Sequence, residues 1–149
     1  MTNSSAVAET PAAASDLARH HFEAKLSFET DCWDVHDSLS KKADDFVLLD
    51  VRSPSLYREG HVPGALNLPH GKMTDRRMSE WPDATLFVVY CAGPHCNGAD
   101  KAAVRLSRIG RTVKLMIGGV TGWLDEGFTL GTGDAPSSVF EVEGEGTLA

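Results

Sequence analysis

The chain has 149 residues and a formal net charge of −7, with 14 Lys and Arg against 21 Asp and Glu. That length suits one domain with its own core. The acidic balance, with no basic cluster beyond Arg76-Arg77, argues against nucleic acid and anionic membrane surfaces as partners.

Read in chain order, residues 1–15 are small, polar and Ala-rich, which predicts a disordered leader without the basic and apolar parts of a secretory signal. Helical character follows over 17–25, and a short edge strand over 25–29. Asp31 is placed to N-cap a helix over 32–41, with Trp33, Val35, His36 and Leu39 as its apolar face. Residues 46–49 form a continuous apolar run ending in Asp50, the pattern of a strand buried on both faces. Ser53-Pro54 pairs an N-cap with Pro at the first helical position, and Gly60 closes that helix. Residues 61–69 read as a turn and a short strand, and 71–81 as a helix stopped by Pro82.

A β-type run over 86–90 delivers Cys91 into a loop of Gly, Pro, His and Asn. Helical sequence follows over 99–109, with Ala102, Ala103, Leu106 and Ile109 on one face and Gly110 just past the end. A strand over 113–117, the Gly118-Gly119 turn and a short helix over 120–126 complete the folded part, predicted over 16–130. From Gly131 the composition predicts an acidic, flexible C-terminal tail over 131–149. No apolar run is long enough to span a bilayer. The three cysteines show no scaffold-like spacing, which fits a reducing, cytoplasmic compartment.

Short apolar strands alternating with helices predict an α/β fold, a parallel sheet with helices on both faces. Ligands bind such sheets beyond the carboxyl ends of the strands, where both Cys91 and Asp50-Val51-Arg52 fall. A cysteine between a strand and a helix sits over the amides of its own loop and the positive end of that helix. Both stabilise a thiolate, the reactive form.

The residues 49–53, Leu-Asp-Val-Arg-Ser, and 57–69, Tyr-Arg-Glu-Gly-His-Val-Pro-Gly-Ala-Leu-Asn-Leu-Pro, resemble one half of the signature of the rhodanese-like domain family, the single-domain sulfurtransferases. Val88-Val89-Tyr90-Cys91, Ala102-Ala103, Leu106, Gly110, Gly118-Gly119, Trp123 and Gly127 resemble the other half. The likeness covers about 25–130. It implies a three-layer fold with a central, mostly parallel five-stranded sheet. It also implies that Cys91 is the nucleophile, accepting a sulfane sulfur as a persulfide. Ala92, Gly93, Pro94, His95, Asn97 and Gly98 would then form the substrate-binding loop, with no cofactor and no metal. Many members carry an Arg in or closing this loop; the loop here has none and is longer than the short sulfurtransferase loop.

Several residues have more than one reading. Cys96 is a resolving thiol for Cys91, a nucleophile in its place, or a packing residue. His95 orients an anion or is a solvated loop residue. Cys91, His95 and Cys96 make a weak metal-ligand pattern. Asp50 and Arg52 brace the rim, His61 belongs to a turn, and Cys32 packs beside Trp33. The leading function is a sulfurtransferase taking sulfur from a small donor such as thiosulfate or a persulfide, and passing it to a thiol or cyanide-like acceptor, with a homodimer as the assembly considered. A phosphatase or arsenate-reductase-like oxyanion enzyme is the alternative, weakened by the missing Arg. A non-catalytic redox or binding module is the third.

Overall fold

The computed structural model describes residues 4–144. Five strands, β1 (Glu29–Asp31), β2 (Val47–Asp50), β3 (Leu66–Asn67), β4 (Leu86–Tyr90) and β5 (Thr112–Ile117), form one sheet in the order β1-β5-β4-β2-β3. Every pairing in it is parallel. The two central strands are apolar on both faces, and the parity of their side chains builds two cores. Leu49, Phe87 and Val89 face one way, against the helices α5 (Asp75–Met78) and α6 (Gly98–Arg108). Leu48, Val88 and Tyr90 face the other, against α3 (Cys32–Ser40), α4 (Pro54–Glu59) and α7 (Gly119–Asp125). The result is the expected three-layer α/β fold.

Local signals set several element ends. Asp31 caps α3 by accepting from Asp34 N at 2.8 Å, and Ser53 caps α4 by accepting from Leu56 N at 3.3 Å, with Pro54 first in that helix. Gly110 follows α6 with φ +79°, a left-handed conformation that favours glycine.

Four readings from sequence are corrected. Within the expected disordered leader, Ser5 caps a short exposed helix over Ala6–Glu9 by accepting from Ala8 N at 3.2 Å. The helix expected over 17–25 is a longer one, Ser15–Phe28; it absorbs most of the expected strand, because the backbone keeps its helical bonds until Glu29, whose N–H donates to Lys25 O. It buries none of its own residues, and Leu17, Phe22, Leu26 and Phe28 stay exposed. The helix expected over 71–81 is a 3-10 turn at His70–Lys72 followed by α5, restarted by Thr74, whose hydroxyl accepts from Arg77 N at 3.2 Å.

The fourth correction concerns the flexible tail. Gly131 exchanges both backbone hydrogen bonds with His61, and Gly64 N–H donates to Pro136 O at 2.7 Å. A terminal helix over Val139–Glu143 then docks, with Val139 only 3% exposed. Glu143 sets one carboxylate oxygen 2.9 Å from His36 Nε2 and accepts from Thr129 N–H at 3.2 Å with the other. The acidic composition hid three apolar residues, Val139, Phe140 and Val142, spaced for one short helix. Residues 145–149 lie outside the described part. No helix among the described residues is long and apolar enough to cross a membrane.

Candidate active site

Cys91 is the first residue beyond β4 and shares the parity of Phe87 and Val89, so its side chain falls on the α6 side of the sheet. The loop it opens is anchored to α7. Val120 N–H donates to Cys91 O at 3.1 Å, and Ala92 O accepts from both the amide and the hydroxyl of Thr121, at 3.0 and 3.1 Å. That approach requires glycine at 119. Its φ is +57°, and a Cβ there would lie 2.3 Å from Cys91 O. Within the loop, Cys96 N–H donates to Gly93 O at 3.0 Å, whereas the amides of Ala92, His95, Asn97 and Gly98 donate to no protein group among the described residues. The start of α6 lies against the thiol, with Gly98 beside Cys91 Sγ.

The structure joins Cys91 and Cys96 as a disulfide with a Cα–Cα separation of 6.4 Å. Cys96 thus lies within reach of Cys91, as its reading as a resolving thiol requires. Five residues of chain suffice because the Gly93–Cys96 turn folds the loop back over α6. Both sulfurs line a cavity of about 470 Å³, with Gly93, Pro94 and Ala99 beside them. Its opposite wall is the end of β5 and the Gly118-Gly119 turn. Cys91 itself is 8% exposed. Two carboxylates, Glu29 and Asp100, complete the lining, which holds no lysine, arginine or histidine among the described residues.

Other candidates lie elsewhere. His95 and Asn97 are exposed and absent from this lining, although the His95 ring lies beside Gly93. Asn97 instead borders a separate cleft of about 330 Å³ along α6, where Lys101, Arg105 and Arg108 share a face near His70. Ala92 is partly buried behind the loop and also misses the cavity lining, whereas Gly98 lies against the sulfurs themselves.

Asp50 and Arg52 sit beneath the rim as a buried network. Arg52 Nη2 donates to Asp50 Oδ2 at 2.7 Å and Arg52 Nε to Oδ1 at 3.0 Å; Tyr90 Oη donates to Oδ2 at 2.8 Å. Tyr90 Oη in turn accepts from Val62 N–H at 2.9 Å, and Asn67 Nδ2 donates to the carbonyls of Asp50 and Arg52. Burial pulls the Arg52 guanidinium down, but its hydrogen-bonded pairing with Asp50 outweighs this and holds it above its ordinary range. Arg52 is therefore committed to Asp50 and to Gly60 O, away from the cavity lining. Burial, and then the Asp50 charge, push the Tyr90 phenol far up.

His61, read as a turn residue, is fully buried; it stacks on Tyr57 at 3.8 Å and sets Nδ1 2.9 Å from Tyr57 O. Cys32 is free and buried, with its thiol 3.5 Å from the carbonyls of Ile117 and Gly119. Sequence reasoning missed Glu29, Asp100 and the β5 wall. Asp100 carried a signal in its place in the first turn of the helix after the thiol loop; Glu29 and β5 reach the site only through the sheet order.

A thiol at the carboxyl edge of a parallel sheet, cradled by its loop and the next helix, defines a class of cysteine-bearing three-layer α/β proteins. The sequence profile of the rhodanese-like domain matches residues 34–126, and the chain belongs to that family. It is 38% identical over 101 residues to the HTH-type transcriptional regulator Rv0324 of Mycobacterium tuberculosis, matching 63% of this chain and 44% of that protein, so it spans under half of that relative. It is 31% identical over 97 residues to a sulfurtransferase of Allochromatium vinosum, covering 63% of this chain and 89% of the relative. The BH2092 protein of Bacillus halodurans superposes with a TM-score of 0.77 at 31% identity, over 91% of this chain and all of that one.

Proposed function

We propose that this chain is a sulfurtransferase that carries a sulfane sulfur as a persulfide on Cys91. The observation that carries the reading is the placement of Cys91 at the end of β4, opening into a cavity between loop amides and the start of α6. In the reduced protein the Cys91 thiolate attacks the outer sulfur of a donor. The donor's S–S bond breaks, and its inner group leaves with the electron pair. A thiol or cyanide-like acceptor then attacks the outer sulfur of the persulfide and returns Cys91 as a thiolate. Loop amides hold the persulfide anion at low reorganisation cost. The likeness to a protein named as a sulfurtransferase supports this class.

The charges of the cavity bear on the donor. Glu29 and Asp100 oppose a dianion such as thiosulfate, and among the described residues the cavity lining holds no cationic side chain beside them. A persulfide on an organic thiol fits better a cavity walled largely by Pro94, Ala99, Leu115, Met116 and Ile117. The same lining argues against phosphoryl or arsenate chemistry, which calls for a cationic clamp.

The test is thiocyanate formation from cyanide with thiosulfate and with glutathione persulfide, under reducing conditions. Cys91→Ser is expected to lose about a thousandfold or more, since its hydroxyl has no accessible anion at neutral pH. Activity near wild type in Cys91→Ser, with Cys96→Ser dead, would move the nucleophile to Cys96.

A further inference from the structure

The two sulfurs that meet in the cavity belong to different parts of the loop, and the backbone is arranged so that they meet. The carbonyls of Cys91 and Ala92 are pinned to α7, while the Cys96 amide is held by Gly93 O. Gly98 leaves the space that the pair occupies; a Cβ at that position would lie 2.9 Å from Cys91 Sγ and 3.5 Å from Cys96 Sγ. The Cα–Cα separation of 6.4 Å lies within the range that a disulfide spans without backbone movement. Cys96 therefore reaches the Sγ atom of Cys91, which in a persulfide is the inner sulfur.

We propose that Cys96 makes the site a sulfide-releasing persulfide reductase, an inference that rests on Cys91 carrying the persulfide. The Cys96 thiolate attacks Cys91 Sγ, and the Cys91–Cys96 S–S bond forms. The bond from Cys91 Sγ to the outer sulfur breaks, and the outer sulfur leaves with the electron pair and takes up a proton as hydrosulfide. The sulfane sulfur is reduced by two electrons, and the two thiols are oxidised to the disulfide. Hydrosulfide is less basic than an alkylthiolate, which favours this direction of cleavage. A dithiol reductant restores both thiols and is itself oxidised to a disulfide, closing the cycle. Attack within one loop also gives Cys96 a large advantage in effective concentration over acceptors in solution. The product is then sulfide, and the partner that consumes the oxidised protein is a thiol-disulfide reductant.

Single turnover tests it. Reduced protein, freed of reductant under anaerobic conditions, receives one equivalent of thiosulfate in one arm and of glutathione persulfide in another. Sulfide above a protein-free blank and intact mass are then read. Wild type is expected to release one sulfide per chain and to end two hydrogens lighter. Cys96→Ala, with Cys96→Ser as a second variant, is expected to gain one sulfur atom and to release sulfide only when dithiothreitol is added. Wild type that keeps the sulfur with both remaining thiols free, or equal sulfide from the Cys96 variants, overturns the inference and leaves the persulfide reading standing. If neither wild type nor the variants gain sulfur or release sulfide, the persulfide reading itself falls.

Discussion

The three cysteines of this chain meet two different environments. Cys32 is sealed beneath Gly118 and Gly122, and burial, followed by the charges of Asp31 and Glu126, pushes its thiol up to about 11. Cys91 and Cys96 face a cavity. Iodoacetamide at pH 8 should therefore label Cys91 and Cys96 in the reduced protein, leaving Cys32 untouched until the chain is denatured. Peptide mapping reads this, and early labelling of Cys32 would contradict the packing described. The same burial has a consequence at alkaline pH. Folding raises Cys32 from 9.0 to about 11, and Tyr57 from 10.0 to about 12, chiefly by burial. Both acids are thus held protonated by the fold. Their contribution is complete below their unfolded values and is lost as pH climbs through the folded ones. Urea midpoints should fall from about pH 9 upward, and Cys32→Ala should flatten the first part of that fall.

At the level of elements, the buried network tying β2 to β4 and to the turn before β3 is the most vulnerable point outside the loop. Asp50→Ala leaves the Arg52 guanidinium buried without its carboxylate, and urea unfolding should register a loss of about 3–5 kcal/mol. A loss below about 1 kcal/mol would mean that solvent reaches Arg52. The strand that carries Cys91 was legible in sequence, because an apolar run ending at a cysteine before Gly and Pro fixes a strand end, and period-2 parity fixes the face. The loop's shape was not. It depends on the hydrogen bonds of Val120 and Thr121 and on the close approach of Gly119, contacts made across 28 or 29 residues of chain. Asp50 and Arg52 were legible as bracing residues from their place in the sequence motif, whereas the partner Tyr90 Oη emerges only when β2 and β4 lie in register. The exposure of His95 and Asn97 outside the cavity lining was hidden for the same reason, since polarity alone places them only in the loop.

For the whole molecule, composition was a poor guide at the C-terminus and a better one at the sheet. The docked terminal helix closes the α3 face, and deleting residues 138–149 removes the buried Val139 together with the pairing of His36 and Glu143. Truncation should cost about 2 kcal/mol, seen as a lower melting temperature, and an unchanged melting temperature would mean that the segment is not part of the fold. The acidic balance of the chain reaches the cavity through Glu29 and Asp100. Asp100→Asn should raise kcat/KM for thiosulfate severalfold relative to glutathione persulfide, and the gain should shrink with added salt. Equal changes for both donors would show that Asp100 does not select between them.

The central claim, that Cys91 is the atom on which sulfur is carried, is tested most directly by locating that sulfur. Reduced Cys96→Ala is treated with glutathione persulfide or thiosulfate, any persulfide is trapped by alkylation, and the tryptic peptide over 78–101, which then holds Cys91 alone, is analysed by mass spectrometry. The account predicts one additional sulfur on Cys91 in that peptide and none in the same peptide of Cys91→Ser. A peptide without added sulfur, or with equal sulfur in Cys91→Ser, would contradict it.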